Sequence, residues 1–208
     1  MSFFQKLTPE QKASIQAVGI DRSVAYRAVM KEQIPDTSIV FDKFHIVSNY
    51  NDVIDEIRRE EWRQAEGKEG KKFINGQRFN VFKNPWNLKQ DDKVSLKALL
   101  DINENLNSAY TLKDALKKLW TYTSKTWTGK YLDKWIGWAN ETEIKEIVRF
   151  SKGLNRDREE LLSCCKYKVA SAKIESFNAT IKRIIRKACG YQDMQYLYLK
   201  IRQEALAT

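Results

Sequence analysis

Two aspartates, Asp21 and Asp42, each stand directly after a short apolar run, Ile15–Ile20 and Ser38–Phe41. In an open parallel sheet, ligands bind at the carboxyl ends of the strands, so both carboxylates sit where function is expected. Either one alone also reads as the cap of a following helix. As a pair, joined by a carboxylate arriving later on a helix, they suggest different chemistry. Clustered carboxylates repel one another unless a divalent cation neutralises them, and hard oxygen donors of this kind suit Mg²⁺. His45, the single histidine, follows Asp42 by three residues. A lone histidine is usually a structural side chain, but this position also suits an orienting partner for a carboxylate.

The elements that must position these residues alternate in character. Thr8-Pro9-Glu10-Gln11 is a helix start, with Thr as the cap, Pro at the first helical position and Gln three residues on. The helix should end near Ser14, and the strand-like Ile15–Ile20 follows. Ser23–Gln33 reads as a helix with Val24, Ala28 and Val29 on one side, stopped by Pro35. Ser38–Phe41 is a second strand. The order helix, strand, helix, strand is the pattern of parallel α/β units.

Beyond His45 the chain turns helical. Asn51–Trp62 is an amphipathic helix using Val53, Ile54 and Ile57. Glu66–Lys72 is expected to be a loop, and Phe73–Phe82 a short extended pair turning at Asn75-Gly76. Asn84–Leu88 is a break. From about Ser95 to Leu161 nearly everything has helical spacing, and four of the six Trp fall there. Trp120, Trp127, Trp135 and Trp138 are expected in the core. A last helix should run from Lys173 to Cys189 and close at Gly190.

Composition sets the outer bounds. With 208 residues, 42% of them hydrophobic, the chain is long enough for one domain with a large insertion. Lys+Arg 37 against Asp+Glu 27 gives a net charge of +10, an electrostatic footprint for a polyanion such as nucleic acid. Cys164 and Cys165 are adjacent, which suits neither a zinc knuckle nor a disulfide framework, and with Cys189 they read as reduced thiols. No apolar run approaches the ~18 residues of a membrane span, and the N-terminus has no signal-peptide pattern. A cytoplasmic protein without membrane contact is the expectation.

Several segments together carry a resemblance. Ser38–Val47, containing Asp42-Lys43-Phe44-His45, is similar to the D-x-F-H-V signature of bacterial insertion-sequence transposases of the ISL3 type. Ala170-Ser171-Ala172-Lys173-Ile174-Glu175-Ser176-Phe177-Asn178, with Ile181-Lys182, Arg186 and Gly190-Tyr191, resembles the block around the family's last carboxylate. Val18–Asp21 with Tyr26 and Pro35, and Lys83–Leu88, resemble two further segments. Ala170-Ser171-Ala172 departs from the commoner Ser-Asn pair before the alanine.

The resemblance implies an α/β, ribonuclease-H-like core that is incomplete, its first strands missing, interrupted by a large all-helical insertion. Residues 1–50 would be the core segment, 51–168 the insertion, and 169–208 a core helix bearing the third carboxylate. Asp21 corresponds to the second catalytic carboxylate, with Asp42 as the alternative, and Glu175 to the third. Asp42 and His45 match an accompanying Asp-x-x-His element. The implied cofactor is Mg²⁺ (or Mn²⁺), held by Asp21, Asp42 and Glu175, for cleavage and transfer of DNA strands. The helix of Glu175 carries Lys182, Arg183, Arg186 and Lys187, a stripe that suits DNA phosphates as well as a solvated face, opposite Ile174, Ile181, Ile184 and Ile185.

Transposon ends and target DNA are the implied partners, and a homo-oligomer is left open. The family's first aspartate, zinc module and helix-turn-helix would fall before Met1. The expectation is therefore an N-terminally truncated chain, unable to cut DNA alone. A stand-alone DNA-binding remnant, or a binder of RNA or protein with only architectural likeness, are the alternatives.

Overall fold

The computed structural model describes residues 3–168 and 172–206, with side chains described for 4–168 and 176–204. The chain divides into two compact units, Met1–Val169 and Ala170–Thr208.

The first unit begins as its capping signals dictate. Helix α1 (Pro9–Ala13) has Thr8 as its cap, accepting from the Gln11 N–H, while the Gln11 side chain accepts from the Thr8 N–H at 2.9 Å. Strand β1 (Ala17–Ile20) leads through α2 (Val24–Gln33) to strand β2 (Ser38–Phe41). The two strands pair in parallel, Ala17 opposite Ser38 and Ile20 opposite Phe41. Among the described residues they form the whole sheet. β2 is the inner strand, with Val40 and Phe41 buried, whereas β1 is half-buried throughout.

The face of α2 is a correction. Val24 (77% exposed) and Val29 point to solvent, and the inward side is instead that of Arg27, Met30 and Ile34. Two of the three residues expected to form its apolar side are thus among the more exposed hydrophobics. The reason lies in what α2 covers, a ring and a carboxylate that select guanidinium groups.

The next helix, α3 (Lys43–Gln64), starts eight residues before the expected Asn51. Asp42 caps it, and Ile46 and Tyr50 extend the apolar spacing of Val53, Ile54 and Ile57 backward over two more turns. Helix α4 (Gly67–Gly76) then occupies the stretch expected to be a loop and half of an extended pair. Phe73 and Ile74 pack on the core, and that burial overrides the poor helix propensity of three glycines.

Residues 77–83 form turns rather than a strand. The ammonium of Lys113 donates to the Val81 carbonyl at 2.7 Å and the Phe82 carbonyl at 3.0 Å, giving these groups the partners a ladder would have supplied. Five more helices complete the unit: α5 (Gln90–Ile102), α6 (Glu104–Lys117), α7 (Lys125–Glu141), α8 (Lys145–Arg156) and α9 (Arg158–Leu162). The core is a cluster around α3, including Ile46, Tyr50, Ile54, Leu106, Leu116, Trp135 and Ile147, with α6 and α8 packed on that helix. α9 and the Ser163–Cys165 turn return to cover β2, and the thiols of Cys164 and Cys165 are free and buried there.

Lys113 is almost wholly removed from solvent, and burial, with the like charge of Lys117, lowers its ammonium to about 8 from 10.5. Between these values the unfolded chain binds more protons than the folded one. Stability from this group therefore rises with pH across that window, and below it the full cost of burying the charge is present. Relative to Lys113→Met, the wild type should gain on the order of 3 kcal/mol between about pH 7.5 and pH 10.5, since each tenfold difference in proton affinity is worth about 1.4 kcal/mol. Denaturant melts of both proteins at the two pH values check this, and a difference that stays constant refutes it.

The second unit is a helix pair, α10 (Ala172–Lys187) packed on α11 (Met194–Leu206). α10 ends two residues before the expected Cys189. The Gly190 N–H donates to the Ile185 carbonyl, and Cys189 (φ 53°) and Gly190 (φ 108°) both take left-handed conformations. Gly190 does so without strain, whereas Cys189 carries a Cβ in that region. α11 is an element that the sequence patterns did not lead us to expect. Its cap is Asp193, whose Oδ1 accepts from the N–H groups of Gln195 and Tyr196.

Candidate active site

Because Ile20 is opposite Phe41, the residues that follow, Asp21 and Asp42, leave the two strands side by side. The Asp42 N–H donates to the Ile20 carbonyl at 3.3 Å, tying the two strand ends together. Asp21 is exposed, and its Oδ1 accepts from the Ser23 N–H at 3.1 Å, which shapes the turn into α2. Asp42 is buried, and its Oδ1 accepts from the Phe44 N–H at 2.7 Å. The capping role and the strand-end position thus coexist in one residue. His45 lies half-buried in the first turn of α3, its ring edge-on to Phe44 at 5.8 Å.

Glu175 lies within α10, but its side chain, like that of Ile174, is outside the described residues, as is the backbone of Ala170 and Ser171. Among the described residues no group of three or more His, Cys, Asp or Glu is placed to hold a metal ion. What is present is a pair of hard oxygen donors on neighbouring strand ends, one exposed and one sheltered. That donor chemistry fits a divalent cation needing one more carboxylate.

On α10, Lys182, Arg183, Arg186 and Lys187 are all exposed at helical spacing. Arg183 approaches Glu204 at 3.9 Å, and among the described residues the other three have no ion pair. The opposite face, expected to be the buried one, is less buried than that. Ile181 and Ile184 are half-buried, but Ile185 is exposed.

The tryptophans divide. Trp135 is wholly buried, Trp120 and Trp138 pack at the margin of the core, and Trp127 is 60% exposed under the ammonium of Lys130, 4.8 Å from its ring. Trp127 is a correction. In the first turn of α7 the neighbouring Thr128 and Gly129 are the buried residues, and Trp127 is turned outward.

Sequence reasoning missed a buried polar cluster of the first unit. Asp157, at the junction of α8 and α9, is wholly buried and accepts from Arg22 Nε at 2.8 Å, Arg27 Nη2 at 2.8 Å and Arg156 Nε at 3.3 Å. Burial raises its carboxyl, but the hydrogen bonds from Arg27, Arg22 and Arg156 outweigh that and hold it below the usual carboxylate range. Arg22 is the residue next to Asp21. Asp157 lies 135 positions away in sequence, and no local motif marks such a pair.

Comparison with known proteins defines the class. The family model of the ISL3-type DDE transposases, described as transposase, matches residues 1–201, and the chain belongs to this family of bacterial insertion-sequence transposases. It is 33% identical over 203 residues to the transposase for insertion sequence element IS1001 of Bordetella parapertussis, an alignment covering 97% of this chain and 50% of that one. It is 27% identical over 218 residues to the transposase for insertion sequence element IS1557 of Mycobacterium tuberculosis, covering 94% and 49%. The chain spans about half the length of the curated relatives it matches. No solved structure matches it. Among the described residues no helix is long and apolar enough to cross a membrane.

Proposed function

We propose that this chain supplies part of the strand-cleaving and strand-transferring site of an insertion-sequence transposase. The observation that carries this is the pair Asp21 and Asp42, side by side at the carboxyl ends of two parallel strands. In this reading β1, α2 and β2 belong to a ribonuclease-H-like core, and α3 to α9 are its helical insertion. Asp21, Asp42 and Glu175 would hold Mg²⁺ or Mn²⁺, which supplies a polarised water or 3′-hydroxyl and stabilises the leaving oxygen of an in-line displacement at a phosphodiester.

The chain's own residues then have separable tasks. Asp42, sheltered and held by the Phe44 N–H, presents its carboxylate in one orientation. Asp21, exposed and turned by the Ser23 N–H, stands where substrate can reach it. His45 lies one helical turn from Asp42 and can orient a water or a carboxylate. Lys182, Arg183, Arg186 and Lys187 hold DNA by its phosphates without reading sequence, at the transposon end and at the target. A second reading, a DNA-binding chain without catalysis, is favoured by that exposed basic stripe alone, since it needs no metal.

Calorimetric titration with Mn²⁺ separates the two readings. The wild type should bind, and Asp21→Asn, Asp42→Asn and Glu175→Gln should each weaken binding by about tenfold or more, as loss of a charged ligand does. Binding that is absent, or identical in all four proteins, overturns the metal site and leaves the second reading.

A further inference from the structure

The Asp157 cluster has features that a simple ion pair does not need. The Arg22 guanidinium lies in a notch of α8 opened by Gly153, where an added Cβ would stand 2.9 Å from Nη2. The same group rests over the Phe150 ring at 5.8 Å. Arg27 reaches Asp157 from α2, lies over the Phe41 ring at 4.9 Å, and brings its Nε to 3.4 Å from Glu160. Two guanidiniums, each under a fifth exposed, are thereby seated on aromatic faces with one wholly buried carboxylate between them.

A buried charge cluster adds little net stability compared with well-packed apolar groups, because desolvation offsets most of the attraction. Its distinctive contribution is orientation, since a planar guanidinium and a carboxylate meet in few geometries. What becomes oriented here is specific. Arg22 adjoins Asp21, and Arg27 lies one turn into the helix whose cap, Ser23, shapes the Asp21 turn. β1 is otherwise half-buried and among the described residues paired on one side alone, so its carboxyl end has few other restraints.

We propose that Asp157 is a positioning residue for the strand-end carboxylates: acting through Arg22 and Arg27, with Gly153 leaving room for the former, it locks the Asp21–Ser23 turn onto the helical part of the chain. This rests on the reading of Asp21 as a metal-holding carboxylate only for its consequence, not for its geometry. The helical insertion thus does more than cover the strands, because its α8–α9 junction sets where Asp21 stands.

The test compares Asp157→Asn and Arg27→Lys with Leu154→Ala, a change at a wholly buried apolar position of α8 that lowers stability while removing no charge and no hydrogen-bonding group. Amide exchange is followed without metal at residues 19–24, and Mn²⁺ affinity is measured by calorimetry. Both cluster variants should speed exchange at residues 19–24 by about tenfold more than Leu154→Ala does, once each is scaled to its own loss of global stability. Mn²⁺ affinity should fall by about tenfold in the cluster variants and remain near wild type in Leu154→Ala. If Asp157→Asn does not fold, Arg27→Lys alone decides, since it keeps the charge and loses the planar fork that meets the carboxylate. Exchange at residues 19–24 no faster than in Leu154→Ala overturns the proposal. Wild-type protein that binds no Mn²⁺ overturns the metal site instead, and the exchange result still decides the role of Asp157.

Discussion

Asp42→Asn is expected to leave the fold standing and to remove strand cleavage. Asp42 does two things at once: it caps α3 through the Phe44 N–H, and it stands beside Asp21 at the strand ends. Asparagine caps a helix about as well as aspartate, so the first task survives the change. The second does not if Asp42 is a ligand of the divalent cation as proposed above, because a neutral amide then replaces a charged oxygen. If the metal contributes several kcal/mol to the transition state, cleavage should fall about a thousandfold, at roughly 1.4 kcal/mol per factor of ten. Asp42→Ala removes both tasks and should lower stability by about 1 kcal/mol more than Asp42→Asn. The comparison is made with a transposase carrying this segment, on supercoiled donor DNA with Mg²⁺, beside a thermal melt of each protein. Cleavage that survives Asp42→Asn would reduce Asp42 to a cap and leave Asp21 as the second carboxylate.

The part of the chain that leads to these aspartates was legible because local signals decide it. Thr8, Pro9 and Gln11 specify a capping box that needs no tertiary partner, and the β-branched run at Ser38–Phe41 has nowhere else to pack. The family, too, was legible, in Asp42-Lys43-Phe44-His45 and in the residues around Glu175. Elements whose state depends on distant partners were not. Phe73–Phe82 has the look of a hairpin, with Asn75-Gly76 as its turn, yet Ile74 finds the core as a helix and Lys113 takes the carbonyls of residues 81 and 82. Val24 and Val29 read as an inner face until Arg27 is seen to have the buried carboxylate as its partner. Asp157 itself, one acidic residue in a charged stretch, gives no sign that three arginines converge on it. Trp127 and Trp135 have the same spacing signal, and only the position of the neighbouring helices separates them.

That last contrast carries the largest expected effect on stability. Trp135 is 1% exposed, edge-on to Tyr50 at 5.8 Å and to Phe150 at 6.1 Å, and its Nε1 donates to the Leu112 carbonyl at 2.9 Å. It therefore joins α7 to α3, α6 and α8 in one cluster. Trp135→Ala should cost about 3–5 kcal/mol, the transfer of a large aromatic plus the cavity it leaves. Trp135→Phe keeps most of the ring contacts and loses the hydrogen bond, so a smaller loss, including about 1 kcal/mol for that bond, is expected. Trp127, eight residues earlier on the same helix, is 60% exposed with Lys130 stacked over its ring. Trp127→Ala should change stability by no more than about 0.5 kcal/mol. Urea unfolding of the three variants measures all of this, with unchanged slopes showing that the folded and unfolded states remain comparable. Equal losses at positions 127 and 135 would mean that α7 packs with a different face, and the packing of α3 against α6 and α8 would have to be rebuilt around it.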